Sequence, residues 1–342
     1  WIAYVGLLGG TTMNPKPPNP LSGQDEYNGT LILDVTDPKA PKTLAHIPGQ
    51  QGLTDSGGAS MVRVCDGKSL PKGDPKAVYL LRTFGSEAQE IWNTADPAHP
   101  VLVTKILSGL ASTHKNWWEC DTGIAYLVAS SEGWRVRQIT RIYDLSDPAH
   151  PVFIRDFGLI GQQPGATGNA PRIVHGMISV PEVNRVYFAY GVGADGVMQI
   201  VDRDKLLHGP KEPTEANLRA PEVSRLDMPS VYGGHTSFPV LGLDVSDFAN
   251  DNVGKTRNFV VFTGEASSNE CHSPRQMSFM IDVTSEAHPA VVSSYGVPEQ
   301  PGNFCTRGGR FGLHSTNENM TPIYYKRIVF MTEFNAGVRA VD

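Results

Sequence analysis

The chain has 342 residues, 40% of them apolar and 19% charged, with a net charge of −6. That is ample for a substantial core, it leaves no basic stripe to neutralise nucleic-acid phosphates, and no apolar run approaches the roughly 20 residues that span a bilayer. The 35 glycines and 26 prolines are scattered rather than clustered, which suits many turns between short strands and argues against a disordered tract.

The chain opens on Trp1, in a strand-like run over residues 1–8, with neither an initiator Met nor a signal peptide. It therefore reads as a processed or trimmed chain, as does its end at Ala340-Val341-Asp342, inside a repeat. That repeat first appears as Leu31-Ile32-Leu33-Asp34-Val35-Thr36-Asp37-Pro38, running on to Pro41. It returns at residues 91–100, 142–151 and 280–289, with weaker copies at 200–204 and 339–342, at intervals of about 50 to 60 residues and one longer gap. Each copy is an apolar strand, a polar turn and a proline leading into a second apolar strand, as at 101–103 and 152–154. Asp can bond the amides ahead of it and Pro presets φ, so this is hairpin chemistry.

A further strand with an aromatic or β-branched centre precedes each turn, at 77–81, 124–128, 185–189, 258–262 and 327–331, and one more short segment precedes that strand. Four strands per repeat with no convincing helix predict an all-β chain, a β-propeller of four-stranded blades forming one domain over 1–342. Of the six units visible, the first lacks its innermost strand and the last its outer ones. The expectation is a seven-bladed ring with its last blade incomplete, and with insert loops at about 206–221 and 243–255. The Asp-Val-Thr/Ser-Asp-Pro-x-x-Pro turn after an Ile/Leu-rich strand resembles the LVIVD-repeat proteins, exported bacterial and archaeal chains. Residues 310–314 and 334–339 also look like that family. The resemblance implies a propeller and export, and no particular reaction.

Four cysteines allow three pairings, and none lies in a CxxC pair. Cys65 with Cys120 and Cys271 with Cys305 is the preferred pairing, against four buried thiols. It implies an oxidising compartment, periplasmic or extracellular.

The chemistry lies in the ten histidines. His99, His150 and His288 share the turn position before Pro and belong to the repeat; His46 and His208 are isolated. His114, His175, His235 and His314 each precede the aromatic strand of their own repeat, at the start of an innermost strand. In a propeller such positions converge at one end of the central channel, so these four are the predicted ligands of a first-row transition metal, Fe or Cu foremost and Zn as the alternative. The position before them falls near Ser60, which leaves one side open. Glu119, Glu182 and Glu318 follow three of these histidines and are predicted to orient the imidazoles. The plan is similar to the four-histidine iron site of the carotenoid-cleaving oxygenases, also propellers, as an analogy of architecture. Inner-strand histidines that bond only neighbouring blades or water are the bland alternative.

Trp117, Trp118, His272, Arg172, Arg307 and Arg310 are candidates for contacting a ligand, against ordinary use in the core or in surface ion pairs. Asn28-Gly29-Thr30 and Asn319-Met320-Thr321 match the glycosylation sequon. No nucleophile elbow, no HExxH and no strand-to-helix glycine fingerprint is present, which removes the corresponding hydrolases and any nucleotide cofactor. Two functions lead, ahead of a lectin-like propeller that binds a sugar or polyanion through exposed aromatics and arginines. One is an exported metal-binding propeller acting as a metal-dependent oxidoreductase on a small molecule. The other is a non-enzymatic scaffold that docks a partner protein or an envelope assembly on a propeller face.

Overall fold

The computed structural model describes residues 1–9, 16–51, 57–269, 271, 275–298 and 302–342. The backbone groups into two compact units, Trp1–Pro171 with Lys211–Glu215, and Arg172–Pro210 with Ala216–Asp342.

The first unit holds three antiparallel sheets, each a meander of sequential strands. They are β1 (Ile2–Gly6), β2 (Thr30–Asp34) and β3 (Lys42–Ile47); β4 (Val62–Asp66), β5 (Val78–Phe84), β6 (Ala88–Asn93) and β7 (Val101–Leu107); and β8 (Thr113–Trp118), β9 (Ile124–Ala129), β10 (Ile139–Asp144) and β11 (Val152–Phe157). The second unit repeats the plan with β12 (Val174–Val180), β13 (Arg185–Tyr190), β14 (Val197–Asp202) and β15 (Glu222–Asp227); β16 (Thr236–Asp244), β17 (Thr256–Thr263), β18 (Ser278–Asp282) and β19 (Ala290–Tyr295); and β20 (Phe311–Thr316), β21 (Val329–Phe334) and β22 (Val338–Val341). This is an all-β chain with the blades of a β-propeller. Six blades are found among the described residues, not the seven expected, and the last carries three strands.

The repeat turn works as its sequence requires. After β2, β6, β10 and β18 the side chains of Asp34, Asn93, Asp144 and Asp282 each accept from the amide two residues on. Asp37, Asp96 and Asp147 do the same one step later, so consecutive Asx turns reverse the chain. His99 and His150 sit exposed against Asp96 and Asp147 at 2.9 Å, outside the core as expected.

The second strand of a blade has neighbours on both faces, so it reads as a continuous apolar run. Val186 to Tyr190 of β13 are all essentially inaccessible to solvent. Between β4–β7 and β8–β11 the core is Cys65, Tyr79, Leu81, Ile91, Trp118, Ala125, Leu127 and Tyr143. Each large apolar group there contributes about 1.5–3 kcal/mol. Both disulfides form as expected, Cys65–Cys120 and Cys271–Cys305.

Two expectations shift. The insert at 206–221 is helical, α1 (Arg203–His208) and α2 (Glu215–Arg219), because Leu206, Leu207 and Leu218 find a buried surface. The strand placed at 327–331 is β21, beginning at Val329, since Arg327 and Ile328 bond back to the Tyr324 carbonyl.

Candidate metal centre

The candidate histidines stand where the first strand of a blade is irregular. Pairing of β8 with β9 shifts between Thr113 and Asn116, across His114. Pairing of β12 with β13 shifts between Val174 and Gly176, across His175, and that of β20 with β21 between Phe311 and Ser315, across His314. A bulge leaves one residue outside the ladder and re-aims its side chain. His235 reaches an equivalent place differently, one residue before β16, with its amide bonded to the Thr263 carbonyl at 2.6 Å. Gly233 and Gly234 make that approach possible: a Cβ on Gly234 would meet the Tyr190 carbonyl and the Phe262 ring.

Three of the four histidines meet in the second unit, around a carboxylate. Nε2 of His175 and Nε2 of His235 lie 3.7 and 3.8 Å from Oε2 of Glu265. Nε2 of His314 lies 3.9 Å from Oε1, the oxygen that accepts a 2.8 Å bond from Arg310. The His175 and His235 rings are 3.9 Å apart, and those of His235 and His314 4.8 Å apart. His175, His235 and Glu265 are almost fully buried, whereas His314 and Arg310 are 33% and 35% exposed. Phe334 lies beneath both, stacked on His314 at 4.6 Å and under the Arg310 guanidinium at 5.2 Å. Its φ of 46° puts an aromatic residue in the left-handed region, a strained backbone held in place at this site.

The far nitrogens fix the tautomers. His175 Nδ1 is 3.3 Å from the His235 carbonyl oxygen, which only accepts, so that nitrogen carries the proton. His235 Nδ1 faces Thr236 Oγ1 at 2.8 Å, Thr236 Oγ1 faces Ser315 Oγ, and Ser315 donates to the Thr316 carbonyl. Read back from that carbonyl, each hydroxyl donates onward and His235 donates from Nδ1. In the neutral rings each Nε2 then presents its lone pair toward Glu265 Oε2. Contacts of 3.7 and 3.8 Å exceed a hydrogen bond. Two metal–ligand bonds of about 2.1 Å at a tetrahedral angle span about 3.4 Å, which the two nitrogen–oxygen separations exceed by a few tenths of an ångström. The donor atoms of His175, His235 and Glu265 all lie within 4.8 Å of one another. This donor set fits a transition metal.

The fold has a solved counterpart. A protein from Lactobacillus plantarum is similar, at 11% identity, over 96% of this chain and 80% of that one, with a TM-score of 0.51. Sqt1 from Chaetomium thermophilum is 12% identical over 93% of this chain and 66% of its own, with a TM-score of 0.47. A functionally unknown protein from Desulfotomaculum acetoxidans is 12% identical over 92% and 77%, with a TM-score of 0.42. The first likeness supports the fold and extends no further. No family model matches the chain, and no curated protein matches it.

The other sequence candidates have their own surroundings. His114 is half-buried in β8 of the first unit, where its carbonyl accepts from Ser60 Oγ at 3.3 Å. Trp118 belongs to the core of that unit, and Trp117 lies under the Arg63 guanidinium at 4.6 Å. Glu119 accepts from Tyr126 and Thr122 past the far end of β8. Glu182 is exposed after β12, and Glu318 follows β20. In an antiparallel meander the start of the first strand neighbours the end of the second, so a carboxylate beyond the first strand is a whole strand away from the histidine. The acid that does meet the histidines, Glu265, comes two residues after β17. That adjacency is the signal by which the sequence could have given it its role. Arg310 stands beside the cluster, donating to Glu265 Oε1. Arg172 pairs with Asp195 on the surface, and Arg307 donates to the Asn335 carbonyl. His272 lies outside the described residues. The Cys271–Cys305 bridge ties the segment after Glu265 to the segment before Arg310.

Proposed function

We propose that this chain is an exported metal-binding β-propeller of the LVIVD-repeat kind, whose second unit holds a first-row transition metal for redox or Lewis-acid chemistry on a small molecule. His175, His235 and Glu265 are the ligands, and His314 stands at the open side as a fourth donor. One observation carries the reading: two buried imidazoles with Nδ1 engaged turn their Nε2 atoms toward one buried carboxylate oxygen. Two imidazoles and a carboxylate so close together are donors that one cation can hold at once. Two histidines and one carboxylate with an open side suit non-haem Fe(II) and also catalytic Zn(II). Such an ion supplies a polarised or redox-active centre, while Arg310 holds the second oxygen of Glu265 and the buried walls limit water. Two disulfides support an oxidising compartment. Among the described residues no helix is long and apolar enough to cross a membrane.

Elemental analysis of protein purified without chelator tests this. One equivalent of Fe, Cu, Mn, Ni or Zn per chain is expected, falling at least tenfold in the paired His175→Ala, His235→Ala variant. A folded wild-type protein that neither retains nor takes up any of these ions would return the histidines to packing and leave the scaffold reading standing.

A further inference from the structure

We infer that the open side of this centre is an anion subsite, so that the substrate or co-ligand reaching the metal carries a negative charge, as a small carboxylate or inorganic anion does. The inference rests on the metal reading above and adds the class of ligand. Exposure within the cluster is uneven. His175, His235 and Glu265 are closed off, and the two groups with a third of their surface exposed are His314 and Arg310. Both are fixed there by the same aromatic base, Phe334. A ligand entering on this side therefore passes a guanidinium and an imidazole.

Charge balance points the same way. A divalent ion would add positive charge beside the Arg310 guanidinium, and an anion on the open side would offset part of it in a medium of low polarity. Arg310 also engages Oε1 of Glu265 at 2.8 Å, leaving Oε2 toward the two Nε2 atoms. A carboxylate clamped in this way gives the metal one oxygen instead of two, which keeps a coordination position available. Arg310 is thus a positioning residue for Glu265 and a binding residue for the incoming anion.

Cobalt(II) provides a visible readout, because its absorption bands follow the coordination sphere. The full chain is loaded with Co(II) and titrated separately with azide, with formate and with neutral imidazole. In the wild type, azide and formate are expected to shift the bands to saturation at concentrations at least tenfold below those at which imidazole does. The Arg310→Met variant, brought to saturation with Co(II) at whatever concentration it needs, should require at least tenfold more azide, and Arg310→Lys should recover part of the difference. Thermal melting checks that each variant is folded; if Arg310→Met is not, Arg310→Lys against wild type carries the comparison through a weaker azide response. Equal azide titrations in all three proteins overturn the inference, as does a wild type responding to imidazole as readily as to azide. Bands that no anion moves also overturn it while leaving the metal reading intact. A chain that takes up no Co(II) removes both, and that result is visible before any anion is added.

Discussion

At the scale of single residues, the groups that matter most are polar and buried, and each is held by a specific partner. The centre in the second unit is one case. Arg82 and Glu90 in the first unit are another, at 1% and 2% exposure. Arg82 donates to Glu90 at 2.9 and 3.1 Å and to the carbonyls of Ile47 and Pro48, and Trp92 donates to the same Glu90 oxygen. Burial pulls the Arg82 pKa below the usual guanidinium range, against the opposing effect of Glu90. Removing one partner leaves an uncompensated buried charge, so Glu90→Ala is expected to destabilise the fold by about 3–5 kcal/mol, whereas replacing both with apolar residues costs far less. Melting temperatures of the single variant and of Arg82→Met, Glu90→Leu check this; a double variant no more stable than the single one would refute it. Nothing in the sequence marked this pair. Two charged residues eight apart meet only because β5 and β6 pair in one register, with Arg82 opposite Glu90.

At the scale of the element, the blade supplies the repeat and its irregularities supply the site. A regular first strand would send His175 and His314 into the alternation of a sheet; the bulges of β12 and β20 turn them to the cluster. His235 has no bulge of its own and depends on the close approach at Gly233 and Gly234. Gly234→Ala is accordingly expected to lower metal affinity at least tenfold while the far-ultraviolet dichroism remains that of a β protein. Isothermal titration with Zn(II) checks it, and unchanged affinity in a folded variant would show that the glycine does not set the position of His235. Repeat position made the histidines legible in the sequence. Glu119, Glu182 and Glu318 are near their histidines along the chain, but along an extended strand each residue moves about 3.3 Å further away.

At the scale of the molecule, six blades group into two compact units, and three histidines of the second unit come together from three different blades. His175 and His314 are 139 residues apart, so the donor set exists only when those blades are packed. An ion that binds the folded unit and not the open chain stabilises it by mass action, about 2.7 kcal/mol at a free concentration one hundred times its Kd. Melting of metal-free protein should therefore move upward with added Zn(II) and return with chelator. The paired His175→Ala, His235→Ala variant should show no such shift, and an equal rise in that variant would assign the effect to other groups.

The sequence by itself determined the architecture and most of the candidate ligands. A recurring Asx-turn and apolar strand writes the blade locally, and a repeated position for histidine survives in a linear string. What only the tertiary structure decided was the number of blades, the choice of Glu265 over the acids nearer in sequence, and the pairing of Arg310 with that carboxylate over Phe334. Those relations join residues from separate strands and loops, and their geometry comes from ladder register and packing, which no local pattern encodes.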